Sequence, residues 1–277
     1  MKKYIIPIII VITVFVGCKK DTEFTYQSED NVYLNYPNSD TLTYSFSYRP
    51  SIDKDTVWVP VKIAGNRVAK DRKFVMSVVE GSTSAVRDFH YEKLKDFYIM
   101  PKDSGVVKVP IILKNIDTGL ANNSVALTLR VVGGLDFKGD LPSAKRTKSI
   151  VFSNRLEEPT WWKYWGQLRG YGRVKHEFFL IVNGNVQLAD MSSPSTAFYD
   201  IPRTLYYIEN MRLFVTYPFE WVKQNPTRGY ELKLRTDGTG DYDFYNVNAP
   251  SKKFRLKYFA QANEYVFIDE KGNQIRM

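Results

Sequence analysis

Val57-Trp-Val-Pro-Val-Lys-Ile-Ala-Gly65 is the stretch that decides how this chain is read. Val57, Val59, Val61 and Ile63 alternate with Trp58, Pro60 and Lys62. A period of two puts the four branched side chains on one face of an extended strand. The same period recurs at Phe74, Met76 and Val78, at Val107, Val109, Ile111 and Leu113, and at Val125, Leu127, Leu129 and Val131. Shorter runs lie at Val32–Tyr36, Leu42–Tyr48 and Ser149–Phe152. Turn formers stand between them: Gly65-Asn66, Gly81-Ser82, Lys102-Asp103-Ser104-Gly105 and Gly133-Gly134. Short half-buried strands at this spacing predict an all-β sandwich over residues 31–154. Pro60 and Pro110 cannot donate to a ladder, so they predict edge strands or bulges.

The character changes near Asn154–Pro159. Thr160 is placed to cap a helix holding Trp161, Trp162, Tyr164, Trp165 and Leu168, which Gly170 and Gly172 would interrupt. Val174–Val182 fits helix or strand equally well. Residues 203–223 permit a helix as far as Pro218. Glu231–Leu234, Lys253–Phe259 and Glu264–Asp269 read as short strands. The fold class is therefore mainly β, a sandwich followed by a smaller α+β C-terminal domain over 155–277.

The N-terminus carries an address. Met1-Lys2-Lys3 precedes an apolar run from Tyr4 to Val16, then Gly17 and the single cysteine, Cys18. The run is shorter than the roughly 20 residues a spanning helix needs. It has the form of a bacterial lipoprotein signal. Residues 1–17 read as the signal peptide, Cys18 as the acylated residue, and 18–30 as a tether. Lys19-Lys20-Asp21-Thr22-Glu23 resembles the acid-containing tag that sends Bacteroidota lipoproteins to the outer face of the outer membrane. An acylated Cys18 leaves no thiol, which removes disulfides, thiol nucleophiles and cysteine metal sites together. Without Lys2 and Lys3 the formal charge of +9 becomes +7. On an exported lipoprotein that surplus fits a solvated basic surface, an anionic membrane or an acidic partner. Nucleic acid is set aside, because no motif supports it.

A family resemblance rests on several stretches: Val57–Gly65, Lys70-Asp71-Arg72, Val78–Ala85, His90-Tyr91, Tyr98–Pro101 and Val109–Lys114, with Trp161-Trp162 and Gly170–Lys175 in the second half. The chain resembles a Bacteroidota outer-membrane lipoprotein family of unknown function whose N-terminal half is similar to Calx-β and other immunoglobulin-like sandwiches. Members are typically encoded beside a SusC-type transporter and a SusD-type lipoprotein. The resemblance implies a surface accessory of a SusCD-like nutrient-uptake complex, and it brings no catalytic residues. It licenses no calcium site, since the match lies in the strand framework.

The residues offer little catalytic equipment. His90 and His176 are the only histidines; His90 is expected to be structural at a strand start and His176 to face solvent. Neither accompanies a Gly-x-Ser-x-Gly elbow, and two histidines are too few for a zinc site. Glu157, Glu158, Glu209 and Glu220 could supply a glycosidase pair, but none lies in a motif. Asp237-Gly-Thr-Gly-Asp241-Tyr-Asp243 reads as a hairpin turn and, failing that, as the best metal candidate. Trp161, Trp162, Trp165 and Tyr171 form the densest aromatic group, either a ligand platform or a packed junction, and Tyr217, Phe219 and Trp221 form a second. The expectation is a non-enzymatic lipoprotein without cofactor, binding a glycan or peptide or docking on the transporter. A degradative hydrolase and a purely structural interaction protein are the alternatives.

Overall fold

In the computed structural model the described residues are 29–36, 41–192 and 197–277. Cys18, the signal and most of the tether lie outside them. The Val57–Ile63 repeat forms the body of β3 (Lys54–Ala64), and its four alternating apolar residues are all buried. β1 (Asn31–Leu34) and β6 (Val106–Lys114) flank β3 antiparallel, giving a three-stranded sheet.

A second sheet contains β2 (Thr41–Ser45), β4 (Arg72–Val78), β5 (Tyr98–Met100), β7 (Val125–Gly133) and β8 (Thr147–Ser153). A short helix, α1 (Ser143–Arg146), leads into β8. The strand order is β2-β8-β7-β4-β5, with β2 and β8 parallel and the other pairs antiparallel. The inward faces share one core. Val59, Val61 and Ile111 come from the first sheet, and Phe74, Leu129 and Phe152 from the second.

The two prolines sit where a ladder ends or a sheet is open. Asn35 donates its N–H to the Pro60 carbonyl at 2.8 Å, which turns the Pro60 nitrogen toward the β1 side. Pro60 lies one position past the last β1–β3 pair, Leu34↔Val61, where the ladder stops. β6 is an edge strand, and Pro110 pairs with Trp58. Backbone alternation from Glu92 N–H donating to Ile112 O turns the Pro110 nitrogen to the open edge. The expected edge strand is thus β6, whereas β3 is central.

The chain enters the sandwich through a clamp at Asp30. Its carboxylate accepts from Arg72 at 2.5 Å and from the Asn66 N–H at 2.8 Å. Arg72 is buried, lies 4.3 Å from the Phe137 ring centroid, and also donates to the Asn66 carbonyl. Gly65 has φ +145°, and a Cβ there would come within 2.0 Å of the Asp30 carboxylate, so only glycine fits this close approach.

Residues 161–275 build a second core. β9 (Tyr230–Leu234), β10 (Tyr242–Asn246), β11 (Ala249–Phe259) and β12 (Glu264–Phe267) form an antiparallel meander in the order β12-β11-β10-β9. The ambiguous Val174–Val182 run is α2 (Arg173–Asn183), with Lys175 through Val182 all buried. Phe178 on α2 meets Phe267 at 4.5 Å, Phe254 at 5.0 Å and Phe214 at 5.2 Å. α3 (Ile201–Thr216) stops at Tyr217, and Pro218 opens α4 (Pro218–Gln224), where its missing N–H costs nothing.

The helix expected after Thr160 does not form. Two 3-10 turns, Trp162–Tyr164 and Gly166–Leu168, stand in its place. Each indole N–H reaches a different acceptor: Trp161 to the Gln187 side chain (2.8 Å), Trp162 to the Arg169 carbonyl (3.1 Å) and Trp165 to the Ala189 carbonyl (3.0 Å). These bonds hold all three rings inward without a helix, although positions 161, 162 and 165 would also share one helix face.

Candidate functional site

Trp161, Trp162 and Trp165 are respectively 3%, 1% and 7% exposed, so they offer no face to a ligand. Trp161 stacks on Trp162 at 5.6 Å, and both adjoin Phe179. Tyr171 donates its hydroxyl to the Leu156 carbonyl at 2.9 Å, and burial pushes its pKa to about 12. The aromatic platform expected at these four residues is therefore part of the second core.

The Asp237–Asp243 loop is the hairpin between β9 and β10. Asp237 caps its own turn, accepting from Thr239 and from Arg235. Asp241 is 2% exposed and accepts from Arg255 at 2.6 Å and from the Tyr258 N–H at 2.8 Å. Asp243 pairs with Arg235 and Lys253. Three cations already neutralise the three carboxylates, and no cluster of three or more His, Cys, Asp or Glu among the described residues could hold a metal ion. The metal expectation gives way to the turn.

His176 is also corrected. It is 3% exposed, beside Trp161, Trp162 and Tyr171. Burial, with the Arg173 charge adding to it, lowers its pKa to about 4. His90 is structural, as expected: it accepts from the Val86 N–H and meets Asp117 at 2.9 Å. Two of the acids considered for hydrolysis are held in ion pairs. Glu157 pairs with Arg155. The Arg212 fork holds Glu209 below the usual carboxylate range, the opposite of what a general acid requires.

A concave surface with both aromatic and polar groups lies in the second half of the chain. A groove of about 780 Å³ runs between the α3–α4 junction and β12. Tyr217, Phe219 and Glu220 form one wall, and Glu264, Tyr265 and Arg276 the other. A recess of about 520 Å³ continues along α3 past Leu205 and Glu209 to Gln167. Arg169, Arg212 and Met277 line both, so the two are continuous. Tyr217 is 58% exposed and Phe219 38%. Trp221, the third member of that aromatic group, turns inward and meets Phe214 at 4.8 Å.

Arg169 stands at the join in an unusual conformation. Its φ is 57° and ψ −160°, a region almost confined to glycine that costs a side-chain-bearing residue about 1–3 kcal/mol. The other non-glycine residues with positive φ among the described residues, Asp88, Asp103 and Asn263, are of the types enriched at positive φ. Arginine gives no sequence sign of such a backbone. The only hint is the glycine-rich setting Gly166-Gln-Leu-Arg-Gly-Tyr-Gly172.

Residues 26–185 match the family described as a domain of unknown function, DUF4843. No curated protein matches the chain in sequence. Among solved structures it is similar to a proposed carbohydrate binding protein from Bacteroides ovatus ATCC 8483, with 15% identity and a TM-score of 0.33 over 46% of this chain and 38% of that one. It is similar to the apo form of the Calx CBD1 domain, with 12% identity and a TM-score of 0.33 over 46% of this chain and 97% of that one. A protein of unknown function from Bacteroides ovatus matches with 15% identity and a TM-score of 0.31, over 44% of this chain and 43% of that one. The chain spans 38% of the length of the first of these.

Proposed function

The chain belongs to the DUF4843 family, and from that premise we propose that it is a non-enzymatic lipoprotein of the outer membrane, anchored through Cys18, that holds a glycan for a SusCD-like uptake complex. The observation that carries the glycan reading is the groove between α3, α4 and β12. Exposed Tyr217 and Phe219 lie there beside Arg169, Arg212, Glu220 and Glu264. Sugars present apolar C–H faces to flat rings and hydroxyls to charged side chains. A few placed polar groups on an aromatic floor suit that combination.

The address rests on the N-terminal pattern ending in Gly17-Cys18, and partnership with SusC and SusD on the resemblance described above. A peptide fits less well. A peptide would gain most from adding to a sheet edge, yet the outer side of β12 is already met by the returning chain, where Ile275 donates to the Phe267 carbonyl at 2.8 Å.

The test is calorimetric titration of the detergent-solubilised protein with neutral and acidic oligosaccharides, together with co-purification from solubilised outer membranes. Binding weakened about tenfold by Tyr217→Ala, a loss of about 1.4 kcal/mol, supports the reading. No oligosaccharide binding, or no SusC/SusD pair in the purified material, defeats the corresponding half of it.

A further inference from the structure

The backbone around Arg169 is held in place from the second core. Lys175 donates its ammonium to the Leu168 carbonyl at 3.0 Å and to the Gly170 carbonyl at 2.9 Å. Trp162 donates to the intervening Arg169 carbonyl. The Arg169 N–H reaches the Gly166 carbonyl at 3.0 Å, and Leu168 beside it is completely buried. Three successive carbonyls are thus fixed from the core. Lys175 itself is 8% exposed, and burying an ammonium is unfavourable unless it is fully hydrogen-bonded.

What this support presents is a free guanidinium. Arg212 is occupied by both oxygens of Glu209, at 2.7 and 2.5 Å. Arg276 rests on the Gln274 side chain at 3.1 and 2.6 Å. Arg169 is exposed, and its side chain makes no hydrogen bond or ion pair among the described residues. It therefore lines both parts of the groove with its planar fork open. That geometry suits a carboxylate taken through two parallel N–H···O bonds.

We propose that Arg169 is the anion-recognising residue of this groove and that the ligand is an acidic saccharide, one sugar carboxylate lying against Arg169 and uncharged sugar units extending toward Tyr217. The inference rests on the groove being the glycan site. Glu220 and Glu264 lie in the part of the groove near Tyr217. They suit sugar hydroxyls as acceptors and disfavour further negative charge, so the ligand carries isolated acids rather than a continuous polyanion. Lys175 and Trp162 are positioning residues.

The experiment titrates the full-length lipoprotein in detergent with a glucuronate-bearing oligosaccharide, its methyl ester and the uncharged glucose counterpart. The acid should bind at least tenfold more tightly than the ester, and the advantage should shrink with added salt. Arg169→Gly should erase that preference while raising the melting temperature by about 2–4 °C, because glycine relieves the backbone. Arg169→Lys should retain part of the preference, as a point charge without the fork. Equal binding of acid and ester, or a preference that survives in Arg169→Gly, overturns the inference while leaving the glycan site standing. No binding of any of the three saccharides removes the glycan reading itself. An acidic peptide bound through Arg169 in their stead overturns the saccharide assignment.

Discussion

At the scale of single residues, three adjacent polar side chains lie inside the second half of the chain. Lys175-His176-Glu177 reads as a surface triplet, yet all three are buried. Lys175 is used by loop carbonyls, and Glu177 by Arg173 at 2.9 Å and Lys252 at 3.1 Å. His176 is then left neutral among rings. A partner such as Lys252, 75 residues from Glu177, has no signature in local sequence, so polarity alone points the wrong way. The consequence is measurable. The folded pKa of His176, about 4, lies below its ordinary 6.5. Between those values the unfolded chain binds the extra proton, so stability rises with pH across that window and falls on acidification. The effect is at most about 3 kcal/mol. Urea midpoints at pH 4.5 and 7 should differ less in His176→Gln than in the parent. An unchanged difference would show that other groups set the acid limit.

At the scale of elements, period-two strands were legible because each buries one face against the opposite sheet. Pro110 marks an edge, β6, whereas Pro60 marks only the end of the β1–β3 ladder within the central strand β3. β10 was missed because Tyr242-Asp-Phe-Tyr-Asn246 carries polar residues, each committed to a neighbour. Asp243 is paired by Arg235 and Lys253, and Asn246 donates to the Arg228 carbonyl. The tryptophan segment was misread as helix because its conformation is set by indole bonds to Gln187 and Ala189 in a separate loop. Of the groove, the Tyr217–Phe219 aromatics could be seen in sequence and Arg169 could not, since a strained arginine looks like any other. α2 yields a prediction of its own. Glu177 is 3% exposed between two cations, and Glu177→Gln leaves Arg173 and Lys252 unbalanced. Removing one partner of a buried pair typically costs about 3–5 kcal/mol. Because Arg173 and Lys252 keep some access to water, with side chains 21% and 17% exposed, the lower end is expected in denaturant unfolding. A loss under about 1 kcal/mol would mean that the two cations re-solvate freely.

At the scale of the whole molecule, the described residues carry two separate apolar cores, one within 32–152 and one within 161–275. The groove belongs to the second. The first is a β-sandwich whose first strand follows directly on the segment that leads back to Cys18. That arrangement turns the Asp30 clamp into a mechanical part. A pull drawn through residues 18–28 by a membrane anchor would enter the fold at Asp30 and be borne there by Arg72 and the Asn66 N–H before it reached the four pairs joining β1 to β3. Asp30→Ala should therefore lower the force at which β1 peels away when single molecules are stretched from the N-terminal side, and leave it unchanged when they are stretched from the C-terminal half. In a chain anchored through Cys18 as proposed, the clamp would act as a shackle on a line, taking strain before it reached the groove at the far end of the chain.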